Sequence, residues 1–126
     1  SDNTEKNKIL VVDDSNIISN FITKIFDDTY DVISLKDGKE AIDFLASNTS
    51  TIRGMLLDLN MPNVNGYEVL NFMKINNFFS KISVAIITGT DSASVLQNTK
   101  GYPIVAILEK PFNEANVRKV VNMLVK

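Results

Sequence analysis

The chain has 126 residues, 44% hydrophobic and 22% charged, with a formal net charge of -2 and no basic block; this fits one soluble globular domain and argues against nucleic-acid binding by this segment, which leaves a clustered Lys/Arg footprint. Cysteine and histidine are both absent, which excludes disulfides, thiolate metal sites and the commonest general base, and any metal would be held by oxygen, favouring magnesium, calcium or manganese. No apolar stretch is long enough to span a bilayer and no signal peptide is visible, so the cytoplasm is the default location and no membrane partner is expected.

Residues 1–7 are polar and read as a disordered N-terminal tail or a cloning remnant, since Ser1 is not a normal translation start. Ile9-Leu10-Val11-Val12 is a short apolar run that ends in Asp13-Asp14. Ser15 is suited to cap a helix from about 15 to 28. There Ile17, Phe21 and Ile25 form one row and Ile18, Ile22 and Phe26 the next, a broad stripe expected to face the core. Val32-Ile33-Ser34-Leu35 is the second run, and it leads to nothing obviously reactive. Asp37-Gly38 marks a turn, and Ala41, Phe44 and Leu45 give a second helix that ends in the polar cluster 47–51.

Met55-Leu56-Leu57 runs into Asp58, and Met61-Pro62-Asn63 with Asn65-Gly66 marks a loop. Tyr67, Leu70 and Met73 set a third helix up to about Asn77. Val84-Ala85-Ile86-Ile87 runs into Thr88. Asp91-Ser92 is placed to cap a fourth helix over about 93–99, with a thin apolar face of Val95 and Leu96. Ile104 to Leu108 leads, one residue on, to Lys110-Pro111. Asn113 caps a last helix with Val117, Val120, Val121, Leu124 and Val125 on one side.

The runs are short and rich in Val and Ile, as strands buried on both faces are. Five β-α units in succession predict an α/β fold, a five-stranded parallel sheet with helices on both faces. In the flavodoxin-like order 2-1-3-4-5, strands one and three are neighbours, and ligands sit at the carboxyl-end crevice where the order reverses. Asp13, Asp14 and Asp58 end those two strands, while the second strand lies outside the crevice.

Three carboxylates in one pocket repel each other by roughly 4 kcal/mol per pair at ~4 Å and an effective dielectric near 20. A divalent cation with oxygen ligands is the natural compensation, and magnesium keeps positions open for water or phosphate oxygens. Taken singly, Asp13-Asp14 reads as a strand end with a helix cap, Thr88 as a strand-end hydroxyl and Lys110 as a surface charge. Asp58 is different, because it lies between Leu57 and Leu59 in an apolar run and a buried charge there needs a partner. The joint pattern is more specific than any member.

On Val11-Val12-Asp13-Asp14-Ser15, Leu57-Asp58-Leu59-Asn60-Met61-Pro62 with Gly66, Ile87-Thr88-Gly89 and Lys110-Pro111-Phe112, residues 8–126 resemble the receiver domain of two-component response regulators. The resemblance implies that Asp58 accepts a phosphoryl group from a phosphohistidine on a sensor histidine kinase or phosphotransfer protein. It implies magnesium (Mg2+) held by Asp13, Asp14, Asp58 and the backbone carbonyl of Asn60, with Thr88 and Lys110 contacting the phosphoryl group. It further implies a two-state switch that controls an output domain or downstream protein, and a cis Lys110-Pro111 bond; the thin fourth helix, with few apolar contacts, points to 92–118 as the region for a partner or a phosphorylation-dependent dimer. In the family an aromatic often stands where this chain has Ile107; packing is the simpler reading of that residue.

Three other readings compete with this one. An aspartyl-phosphate phosphatase typically carries a second aspartate two residues after the nucleophile, where this chain has Asn60. A flavin-binding module needs a phosphate loop after the first strand, and Asp13-Asp14 would repel phosphate. An inert receiver-like interaction domain would have lost part of the acidic set or Lys110, and none is lost.

Overall fold

A computed structural model of the chain describes residues 6–47, 51–61, 63–89 and 92–126. Its elements run β1 (Lys8–Val12), α1 (Asn16–Ile25), β2 (Asp31–Leu35), α2 (Gly38–Ser47), β3 (Ile52–Asp58), α3 (Gly66–Ile75), β4 (Ser83–Thr88), α4 (Ser92–Asn98), β5 (Ile104–Glu109) and α5 (Glu114–Leu124). The sheet is parallel throughout, in the expected order β2-β1-β3-β4-β5.

Alternation along the strands divides the core. Leu10, Val12, Met55, Leu57, Val84 and Ile86 face α2, α3 and α4 through Ala41, Leu45, Val69, Leu70, Met73 and Val95. Ile9, Val11, Leu56, Ala85, Ile87 and Leu108 face α1 and α5 through Ile22, Phe26, Val117, Val121 and Leu124. The three central strands are buried almost throughout, as two covered faces require, whereas β2 and β5 are partly exposed edge strands.

Local chemistry sets the helix starts. The Ser15 side chain accepts from Ile18 N–H, and capping boxes open α3 (Asn65 with Glu68) and α5 (Asn113 with Asn116). The turn expected at Asp37-Gly38 is the entry to α2: Asp37 Oδ1 accepts from Glu40 N–H at 2.9 Å.

Several expectations need correction. Helix α1 stops at Ile25, where Phe26 N–H turns back to Thr23 O and Tyr30 N–H closes on Phe26 O. Only part of its apolar stripe is covered. Ile22 and Phe26 are buried, but Ile17 is 83% exposed and Phe21 38%. The sheet and α5 cover one side of this helix only, and Phe21 has the Phe112 ring as an aromatic neighbour at 6.3 Å. In α4, Val95 is buried but Leu96 is 58% exposed. Helix α3 ends at Ile75, and a short 3-10 turn, Phe78–Ser80, follows a left-handed Asn77. The proposed cap Asp91 and residues 1–5 of the expected tail lie outside the described residues.

Candidate functional site

The register brings the acidic residues together. Val12 pairs with Leu57, so the chain leaves β1 at Asp13 beside the end of β3 at Asp58. Asp13 and Asp58 are buried and Asp14 is exposed, and the three offer carboxylate oxygens that all lie within 4.8 Å of one another. One oxygen of each buried carboxylate is held by the loop that follows it. Ser15 N–H donates to Asp13 Oδ1 at 2.8 Å, and Asn60 N–H donates to Asp58 Oδ1 at 3.0 Å.

Thr88, at the end of β4, is also buried. Its carbonyl accepts from Lys110 N–H at 2.8 Å, which ties β5's exit to β4. The Lys110–Pro111 bond is cis, as expected from the resemblance. Lys110 Nζ then lies 3.8 Å from Asp13 Oδ2. Asp13, Asp14, Asp58 and Lys110 therefore meet at one rim, with Thr88 tied to Lys110 and Asn60 to Asp58 through backbone groups, while the Asn60 side chain is exposed.

Burial raises the pKa of Asp13 above its ordinary value; Ser15 N–H and the Lys110 charge oppose that rise. Burial likewise raises Asp58, with the neighbouring Asp13 charge adding to it and Asn60 N–H and Lys110 opposing. Ion pairing at 3.8 Å is too long to be a hydrogen bond, and Asp13 Oδ2 is buried with no hydrogen-bond partner. A buried anion left in that state is costly. The donor set therefore fits a hard divalent cation: three carboxylates converge, Asp13 has one oxygen without a hydrogen-bond partner, and no thiolate competes.

Two glycines let the loops close over this rim. A Cβ on Gly66 would lie 2.6 Å from Asp58 O and 2.7 Å from Leu59 Cα, so the start of α3 packs directly on the end of β3. A Cβ on Gly38 would lie 2.2 Å from Val64 O, which also accepts from Gly38 N–H at 2.9 Å. Asn63 Nδ2 donates to Asp37 Oδ2 at 3.3 Å, so the β2–α2 loop braces the β3–α3 loop at two points. Alanine normally favours a helix over glycine by up to ~1 kcal/mol. Here the overlap is with backbone, and Gly38→Ala is expected to lower stability by about 1–3 kcal/mol. Urea unfolding checks this; an unchanged midpoint would show that the two loops are not locked together.

One neighbour was missed from sequence. The end of β2 is not chemically blank. Val12 pairs with Leu35, and Asp13 N–H donates to Leu35 O at 3.0 Å, so Lys36 emerges beside Asp13. Lys36 Nζ donates to Asn16 Oδ1 at the start of α1. The signal was present in the chain, since Lys36 follows Leu35 as Asp13 follows Val12, but only the strand pairing makes the two neighbours.

Behind Thr88, toward α4, lies a cavity of about 310 Å³ lined by Asn60, Tyr67, Thr88, Ser94, Val95 and others. Ile107 is partly buried and packs on the core face that α2, α3 and α4 cover, in line with a packing role.

The family profile described as "Response regulator receiver domain" matches residues 9–122. The chain is 31% identical over 120 residues to "Probable methanogenesis regulatory protein FilR2" of Methanothrix harundinacea, covering 90% of this chain and 77% of that protein. It is 28% identical over 115 residues to sporulation initiation phosphotransferase F of Bacillus subtilis, covering 90% of each. Among solved structures, the chemotaxis response regulator CheY4 of Vibrio cholerae superposes with a TM-score of 0.84 at 25% identity, covering 94% of this chain and 98% of that one.

Proposed function

Because the chain belongs to the family of response regulator receiver domains, we propose that Asp58 is its phosphoacceptor and that Thr88 and Lys110 serve the transfer. Receiver domains are signalling domains rather than classical enzymes, and they work with histidine kinases or phosphotransfer proteins and with output domains. The single observation that carries the assignment is the meeting of Asp58 with Asp13, Asp14 and Lys110 at one rim.

Asp58 Oδ2 is the nucleophile, since Oδ1 already accepts from Asn60 N–H. It forms a bond to phosphorus while the phosphorus–nitrogen bond of a phosphohistidine breaks, and the electron pair stays with the departing imidazole. No base is needed once Asp58 is ionised. Its raised pKa makes nearby positive charge important for keeping it so. Lys110, beside Asp13, supplies a point charge for one phosphoryl oxygen, and the Thr88 hydroxyl donates to another. Asp13, Asp14, Asp58 and the carbonyl of Asn60 would hold magnesium, which supplies charge neutralisation at the phosphoryl oxygens when bound.

Movement of Thr88 toward the phosphoryl group would enlarge the cavity behind it and shift α4, biasing a two-state equilibrium. The output would then be read on the 92–118 region by an output domain, a downstream protein or a second copy of the chain in a phosphorylation-dependent dimer. The proposed unit is residues 8–126 with a polar tail before it, acting in the cytoplasm. In support, no helix among the described residues is long and apolar enough to cross a membrane.

The test is direct. Acetyl phosphate with magnesium chloride is expected to add one phosphoryl group to the wild type, mapped to the peptide holding Asp58. A chelator is expected to suppress it. Incorporation that ignores the chelator would remove magnesium from the account, and a label on another peptide would remove Asp58.

A further inference from the structure

Beyond the acidic trio and Lys110, the rim has a second cation. Strand pairing sets Lys36 next to Asp13 on the side opposite Asp58. Its backbone is fixed, with Lys36 N–H donating to Glu40 Oε1 at 2.7 Å and the next two residues anchored to Asn63 and Val64. Its ammonium donates to Asn16 Oδ1, three residues past Asp13, in an exposed bond at the start of α1. The partly exposed side chain thus reaches from the end of β2 to the start of α1, the helix that follows Asp13-Asp14.

We propose that Lys36 is a specificity-determining residue of the site, a fixed cation that weakens divalent-metal binding at Asp13, Asp14 and Asp58 and attracts the anionic phosphodonor. The inference rests on the reading of this rim as a magnesium-dependent phosphoacceptor site. Its physical basis is charge alone. Asp13 N–H donates to the carbonyl of Leu35, the residue before Lys36, so this charge and the Asp13 carboxylate leave adjacent strand ends. A charge felt by that carboxylate acts with opposite sign on a divalent ion bound to it and with like attraction on an incoming phosphate. Lys110 follows β5 and Lys36 follows β2, so the two lysines enter from opposite sides of the strands that carry the acidic cluster.

The experiment compares wild type, Lys36→Gln and Lys36→Arg. Glutamine removes the charge and keeps an N–H donor, on a side chain one bond shorter. Calorimetric titration with magnesium chloride at low ionic strength is expected to show about three- to tenfold tighter binding in Lys36→Gln, shrinking as salt is added. At saturating magnesium, the same variant is expected to react with acetyl phosphate about two- to fivefold more slowly at subsaturating donor. Lys36→Arg should restore both. A fold defect would move both readouts the same way and would not be reversed by arginine, so the opposed signs identify the charge. Equal or weaker magnesium binding in Lys36→Gln, in a wild type that does bind the ion, overturns this inference alone. A wild type that binds no magnesium overturns it together with the phosphoacceptor reading.

Discussion

Asp58→Asn is expected to take up no phosphoryl group from acetyl phosphate and magnesium, while the metal-free protein becomes more stable. Both follow from one atom. The amide that replaces Asp58 Oδ2 is not a nucleophile, and the other buried carboxylate, Asp13, is tied to Ser15 N–H at one oxygen and faces Lys110 with the other. Intact mass should therefore stay at the unmodified value at all donor concentrations. The stability gain has an electrostatic cause. Ionised carboxylates with oxygens within 4.8 Å of one another repel by roughly 3–4 kcal/mol per pair at an effective dielectric near 20. Lys110 offsets part of this, leaving an expected gain of about 1–3 kcal/mol at neutral pH without metal. Asparagine keeps the acceptor for Asn60 N–H and offers an N–H to the remaining carboxylates. A labelled Asp58→Asn protein would place the acceptor elsewhere, and a less stable one would mean the carboxylates are not in conflict.

Asp13→Asn separates metal binding from the acceptor. It removes a buried ligand charge whose second oxygen has no hydrogen-bond partner, and magnesium affinity is expected to fall by more than about tenfold. Saturating magnesium should raise the wild-type melting temperature by mass action and leave the variant nearly unchanged. Without metal, the variant is expected to be more stable by about 1–3 kcal/mol at pH 7. The pH dependence has a definite sign. Burial raises the native pKa of Asp13 above 3.8, so the folded state holds this proton more tightly than the unfolded chain. The group contributes stability below pH 3.8, and the contribution is lost as pH rises through the elevated native value. Asparagine does not titrate, so the advantage of the variant should close as the pH is lowered toward 3.8. An advantage that grew on acidification would contradict the raised pKa. The two substitutions should not add, because each relieves the same Asp13–Asp58 repulsion.

Much of this was legible in the chain because it depends on nearest neighbours in sequence. Five short apolar runs became five strands, and Ser15, Asn65-Gly66 and Asn113 stand at helix starts. Burial within helices was less legible. Ile17 and Phe21 have the spacing of a core row, but spacing tells which residues share a face and not whether a neighbour covers it. The same limit applies to Leu96.

Element types, the strand-end chemistry at Asp13, Asp58, Thr88 and Lys110, and the restriction to oxygen ligands can all be read along the chain. Those are properties of local periodicity and of the residue types present. Only the folded chain shows which oxygen of Asp13 lacks a hydrogen bond, that Lys110 lies 3.8 Å from it, and that Lys36 follows the strand on its other side. Such facts depend on strand register and on loops braced through Gly38 and Gly66, where the absence of a single carbon permits backbones distant in sequence to touch. Charge acts through space, so the order of residues along the chain could name the participants but not set the distances between them.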